Sequence, residues 1–211
     1  QGEPRESKTF YRYDNRKGLQ MTFKIIKDFL PVEVATRINK VFTGPFPAWN
    51  FFENAASPND KAGHGYFHIK AFDFGCPVDF FSMEQNAMAE LRPMIEYLNL
   101  KYIRRVKCNL YARTHKIVQH GKHYDDTAYN ENFRPYDINA GEHPWSKPGE
   151  KTILYYVNSN DGYTEYFPEN KKSIKVPSVF NTALYTDENI LHCSSTCTDQ
   201  PVRVTININF R

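Results

Sequence analysis

Of the seven histidines, only His123 is followed two residues later by a carboxylate, in His123-Tyr124-Asp125. In an extended chain, positions i and i+2 point to one side, so an imidazole and a carboxylate at this spacing can share a metal ion. His192, far downstream, is the candidate third ligand, and Arg203-Val204-Thr205 follows it closely. Two imidazoles and one carboxylate leave a cation with open positions, a pattern that suits non-heme iron. An arginine fixed nearby can make two parallel charge-assisted hydrogen bonds to a carboxylate, so Arg203, with the Thr205 hydroxyl beside it, suits a dicarboxylate bound next to the metal. Each piece also has an ordinary explanation: a surface histidine beside a solvated carboxylate, a polar residue in a loop, or the water-facing side of an alternating strand. Zinc is the competing metal reading, on Cys108, His115, His120, His123, Cys193 and Cys197, but no Cys-x-x-Cys pair joins a spaced His pair.

The elements that must position these residues are read from periodicity. Between Phe29 and Phe42, Leu30, Val34, Ile38 and Val41 fall at helical spacing, with Pro31 suited to the first turn and Gly44-Pro45 to a stop. A second helix is expected from about Asp79 to Leu98, through Met83, Ala87, Leu91, Met94 and Leu98, with Pro93 as its only threat. After residue 100 the pattern turns strand-like, in Val106–Tyr111, Thr152–Val157, Asn181–Thr186 and Val202–Phe210. In the last of these, Val202, Val204, Ile206, Ile208 and Phe210 share one face, and Arg203, Thr205, Asn207 and Asn209 the other. Helices first and then sheet is the expected order, with the strands forming a sandwich or barrel of the jelly-roll kind and the helices outside it. The stretch from Asp126 to Lys151, rich in Asn, Asp, Gly, Pro and Tyr, is a candidate lid.

From roughly Lys101 to Arg211 the order and spacing of motifs resemble the 2-oxoglutarate- and Fe(II)-dependent dioxygenases, particularly their prolyl-4-hydroxylase-like branch. The motifs are Asn109-Leu110-Tyr111, His123-Tyr124-Asp125, Leu154-Tyr155-Tyr156-Val157-Asn158, Gly162–Glu169, Asn181-Thr182-Ala183-Leu184, His192 and Arg203-Val204-Thr205. The resemblance implies an α+β, mainly β fold: a double-stranded β-helix (jelly-roll, cupin-like) core with supporting N-terminal helices. It implies Fe(II) on His123, Asp125 and His192, and 2-oxoglutarate paired with Arg203, supported by Thr205 and hydrogen-bonded by the phenols of Tyr111 and Tyr156. With O2, and ascorbate as an optional addition, such a site hydroxylates an unactivated C–H, in the first instance of a prolyl or other residue in a peptide or protein. A small metabolite is the second choice of substrate and a nucleic-acid base the third; a non-catalytic metal-binding jelly-roll module is the alternative from another class. The insert after Asp125 is longer than in many relatives.

Length and composition agree with a folded catalyst of modest size. At about 100–200 residues per domain, 211 residues predict one domain, 1–211, divided into an arm (1–22), a helical support (23–100) and a jelly-roll core (101–211). With 40% hydrophobic, 24% charged and 15% aromatic residues the chain is neither disordered nor fibrous. A net charge of +3 is too small to imply a polyanion, and the basic clusters Lys101/Arg104/Arg105/Lys107 and Lys171/Lys172/Lys175 read as solvated faces. Four cysteines are too few for a disulfide scaffold, so reduced thiols are expected. No apolar run is long enough to span a bilayer and residues 1–15 are too charged for a signal peptide, which leads to a cytoplasmic expectation without membrane partners. The chain opens on Gln1, so a removed upstream segment is left open.

Overall fold

A computed structural model describes residues 9–14, 20–45, 49–53, 65–77, 86–100, 102–125, 151–168, 171–186 and 190–210. The expected lid and much of the arm lie outside the described residues. In chain order the elements are β1 (Thr9–Asp14), β2 (Gln20–Ile26), α1 (Val32–Phe42), β3 (Asn50–Phe52), β4 (Tyr66–Pro77), α2 (Asn86–Leu98), β5 (Tyr102–Ala112), β6 (Lys151–Tyr156), β7 (Tyr163–Tyr166), β8 (Ile174–Pro177), β9 (Thr182–Thr186), β10 (His192–Ser194) and β11 (Val202–Phe210). Eight strands form one sheet in the order β1-β2-β9-β6-β11-β5-β4-β3, and three form a second, β10-β7-β8. Every pairing between these strands is antiparallel. The fold is mainly β with two helices.

Helices first and then sheet does not hold: β1 to β4 precede or separate the helices, and β3, β4 and most of β2 fall in the stretch expected to be helical support. The reason is local. β4 carries two register shifts, between Lys70 and Phe72 and between Asp73 and Cys76, so its alternation breaks before a period of two can be recognised. β3 is three residues long, and β1 and β2 pair with each other in a stretch dense with polar residues. Both predicted helices exist. α1 begins after Pro31 and carries Glu33 in its first turn and Lys40 in its last, each complementary to the helix dipole. Thr43 closes it by donating its hydroxyl to the Asn39 carbonyl at 2.8 Å. α2 runs through Pro93, and its described part begins at Asn86.

β11 lies in the middle of the large sheet, between β5 and β6. Its residues Val204, Ile206, Ile208 and Phe210 enter one apolar cluster with Ala35, Ile38 and Phe42 of α1 and Leu91, Met94 and Ile95 of α2. The helices therefore cover the outer face of the large sheet. A second cluster joins Phe23, Leu154, Tyr156 and Leu184 of that sheet to Tyr166 and Val176 of the small one, which places the small sheet over the inner face. The Phe23 and Tyr166 rings meet edge to face at 5.4 Å. The polar side of β11 is not solvated: Arg203, Thr205, Asn207 and Asn209 are 0%, 1%, 6% and 2% exposed, because they point into the space between the sheets. Among the described residues, no helix is long and apolar enough to cross a membrane.

Candidate metal centre

The segment after β5 returns alongside β10, and backbone hydrogen bonds tie the two together. His123 donates its N–H to the carbonyl of His192 at 2.8 Å, and His192 returns one to His123 at 3.0 Å. Directly opposed residues of an antiparallel bridge present their side chains to one face, so the two imidazoles lie with ring centroids 4.6 Å apart. His123 belongs to an isolated bridge and Asp125 to the turn that follows, rather than to one regular strand. Asp125 nevertheless reaches the same point, its Oδ1 3.8 Å from His192 Nε2. One donor atom from each of His123, Asp125 and His192 lies within 4.8 Å of the others, close enough to hold a metal ion. Each histidine directs Nδ1 at a backbone carbonyl, of Gly121 at 3.2 Å and of Ile190 at 2.7 Å. A carbonyl only accepts, so Nδ1 carries the proton and the Nε2 lone pair is left for a cation.

The electrostatics keep this donor set ready. Burial, with the His192 ring beside it, pushes the His123 imidazole down to about 4, so it is neutral at physiological pH. Burial alone would raise the Asp125 carboxyl, but the Arg105 guanidinium, the His192 ring and the Asn207 amide hold it well below the usual carboxylate range. Arg105 Nη2 lies 3.0 Å from Asp125 Oδ1. Asn207 Nδ2 donates to both carboxylate oxygens at 2.9 Å. A neutral imidazole and an ionised carboxylate are the forms a metal requires.

Arg203 occupies the same interior. Its guanidinium, fully buried, donates to Ser178 Oγ at 2.7 Å, Thr164 Oγ1 at 2.8 Å and the Ser195 carbonyl at 3.3 Å. It lies against the rings of Tyr111 and Tyr156, 5.3 and 5.9 Å from their centroids. Among the described residues no carboxylate pairs with it. Gly162 makes the room, since a Cβ there would lie 2.6 Å from Arg203 Cδ and 2.7 Å from the Thr196 carbonyl. Thr205 is opposite Asn109 on one side and Tyr156 on the other. The Tyr156 phenol, pushed up to about 12 by burial against the pull of Arg203, faces Thr164 without the geometry of a hydrogen bond. With it, the Thr182 hydroxyl and the Asn207 carbonyl oxygen are buried polar atoms without a hydrogen-bond partner. An unsatisfied buried phenol beside a buried cation is the lining expected for a polar, anionic ligand.

Tyr166 bridges the two halves, stacked on His192 with centroids 5.3 Å apart and close enough to Asp125 and Arg203 to feel both charges. Periodicity did not single it out. The expectation of two solvated basic clusters divides. Lys171, Lys172 and Lys175 are exposed. Arg105 instead faces Asp125, and Lys107 donates to the Tyr66 hydroxyl at 3.0 Å. Alternation in β5 was the available signal, because Arg105, Lys107, Asn109 and Tyr111 share a face opposite to Val106, Cys108 and Leu110. The zinc reading finds no support among the described residues, where the only group of three or more such ligands is His123, Asp125 and His192. Cys108, Cys193 and Cys197 are buried free thiols.

No protein-family model matches the chain, and no curated protein does either. Solved structures do. A prolyl hydroxylase from Trichoplax adhaerens, in complex with a hypoxia inducible factor oxygen degradation domain peptide fragment, superposes with a TM-score of 0.54 at 14% identity, covering 89% of this chain and 82% of that one. An oxidoreductase of the 2OG-Fe(II) oxygenase family from Burkholderia pseudomallei gives 0.56 at 12% identity, over 89% and 84%. A non-heme alpha-ketoglutarate-dependent epimerase from nogalamycin biosynthesis gives 0.53 at 10% identity, over 90% and 77%. At these identities the likeness is one of fold: the chain is built like 2-oxoglutarate/Fe(II) oxygenases, with a cluster fit for a metal inside it.

Proposed function

We propose that this protein is an Fe(II)- and 2-oxoglutarate-dependent dioxygenase, built on a double-stranded β-helix, that hydroxylates an unactivated C–H of a prolyl or other residue in a peptide or protein. The observation that carries the reading is the buried guanidinium of Arg203, which shares the interior with the His123/Asp125/His192 cluster and, among the described residues, is satisfied there by hydroxyls, a carbonyl and ring faces. A buried charge without a countercharge costs several kcal/mol, on the order of the penalty for a desolvated ion, and a dicarboxylate would supply what is missing. Bound at the cluster, Fe(II) with 2-oxoglutarate and O2 would supply the oxidising power that no side chain has.

The chain's own residues have the remaining tasks. His123 and His192 would offer Nε2, and Asp125 a carboxylate oxygen, on one side of the metal. Arg203 would take the far carboxylate of the cosubstrate, with Thr205, Tyr111 and Tyr156 lining its pocket. The apolar cluster of Phe23, Leu154, Tyr166 and Val176 closes the space between the sheets beside the site and excludes water from that side. A peptide substrate draws support from the Trichoplax structure, which holds a peptide fragment. A small molecule is the second reading, favoured by the likeness to an enzyme of nogalamycin biosynthesis.

Anaerobic titration of the apo-protein with Fe(II) and then 2-oxoglutarate tests the proposal. A weak visible charge-transfer band is expected, lost in His123→Ala. Absence of a band, with zinc bound tightly instead, would favour a non-catalytic metal-binding module. Succinate release stimulated by peptides, against stimulation by small metabolites, then separates the substrate classes.

A further inference from the structure

We propose that Arg105 and Asn207 are positioning residues, which hold the Asp125 carboxylate in the attitude where it can share a metal ion with His123 and His192. The inference rests on the reading of that cluster as a metal site. The three ligands are held in different ways. His123 and His192 are fixed by reciprocal backbone hydrogen bonds. Asp125 stands in a turn, and side chains from the large sheet grip it.

Arg105 Nη2 meets Oδ1 at 3.0 Å, while Nη1 of the same guanidinium donates to the Asp125 backbone carbonyl at 3.0 Å. One planar group thus fixes both the main chain and the side chain of the ligand. Asn207 Nδ2 reaches both carboxylate oxygens at 2.9 Å, which sets the rotation of the carboxylate plane. Asn209 joins the two to the sheet, accepting from Arg105 Nε at 2.9 Å and donating to Thr152 Oγ1 at 2.9 Å. Arg105 and Asn209 are direct cross-strand partners, as are Asn209 and Thr152, so the grip rests on three paired strands.

A different role for Arg105, neutralising a buried carboxylate and nothing more, predicts the opposite sign for metal affinity. At a pH where the Asp125 carboxylate is ionised with or without its neighbour, a guanidinium only repels a cation, so removing it would tighten binding if charge were its only contribution. If it aims the ligand, its removal weakens binding, as loss of a supporting partner does at other metal sites, by about 10–100-fold.

The measurement is calorimetric titration of the full apo-protein with Mn(II) alone, at a temperature well below the unfolding midpoint of each variant. Wild type, Arg105→Met, Arg105→Lys, Asn207→Ala and His192→Ala are compared. About 10–100-fold weaker Mn(II) binding is expected in Arg105→Met and Asn207→Ala, with part of the loss recovered in Arg105→Lys, whose ammonium can keep one of the contacts. Binding by Arg105→Met and Asn207→Ala as tight as wild type, or tighter, overturns the positioning role while leaving the metal site standing. Equal binding by wild type and His192→Ala overturns the metal site and the inference with it. Should Arg105→Met fail to fold, Asn207→Ala decides, since it removes no charge.

Discussion

The two faces of β11 are equally buried and chemically opposite. On the outer side Val204, Ile206 and Ile208 pack against α1 and α2, and their contribution is apolar area removed from water. On the inner side Arg203, Thr205, Asn207 and Asn209 are just as hidden, yet they hold charge and hydrogen-bonding groups that water would satisfy better. Burial on the first side stabilises the fold; burial on the second costs stability and has to be offset by partners. Tyr156, Thr182 and Asn207 each keep a buried polar atom without a hydrogen-bond partner, and among the described residues no carboxylate pairs with Arg203. On the proposed reading one face of the strand stabilises and the other binds, so the two properties are separable by substitution.

The largest separation is expected at Ile206→Ala, which should lower the unfolding free energy by about 2–4 kcal/mol, the cost of a buried cavity, while leaving Mn(II) affinity unchanged. Denaturant unfolding and metal titration on the same preparation check this, and a parallel loss of metal affinity would break the comparison. Arg203→Met is the mirror case. Relief of a buried charge and the orphaning of Ser178 and Thr164 nearly cancel, so stability should move by less than about 1 kcal/mol, whereas 2-oxoglutarate affinity should fall by about 100-fold. Gly162→Ala should act on both properties, since its Cβ meets Arg203 and the Thr196 carbonyl together. An overpacking cost of about 1–3 kcal/mol, with weakened 2-oxoglutarate binding, is expected there.

A further effect is pH-dependent. The unfolded chain takes up a proton on His123 near pH 6.5, about the free imidazole value, while the folded one resists it until about 4. Between these values the unfolded state binds more protons. The contribution of His123 to the stability of the apo-protein is therefore full above about pH 6.5 and is lost as pH falls toward 4. Unfolding midpoints measured at pH 7, 6 and 5 should fall less steeply in His123→Asn, which removes this site.

Much of the helical part was legible because α1 and α2 repeat apolar residues every three or four positions. β4 was not, since its bulges break the alternation, and neither were the short or polar β1 to β3. In the candidate site, the His-x-Asp spacing, the distant His192 and the Arg203/Thr205 pair stand out in the chain. Arg105 and Lys107 were readable from the faces of β5, but grouping them by charge with Lys101 and Arg104 hid that geometry. Thr164 and Ser178 leave no such trace, because hydroxyl residues on short strands are common and their partner is distant in sequence.

What the sequence by itself determined is which side chains share a face, because a period of two in strands and about 3.6 in helices follows from backbone geometry alone. Whether a polar face meets water or another sheet is not a property of the strand that carries it. Only the tertiary structure decided that Arg203, Asn207 and Asn209 are buried, since the groups that meet them, Thr164, Ser178 and Ser195 at Arg203 and Asp125 at the two asparagines, come from other parts of the chain. It likewise decided that an arginine from β5 reaches an aspartate twenty residues later, in a turn that the isolated His123–His192 bridge brings back to the sheet.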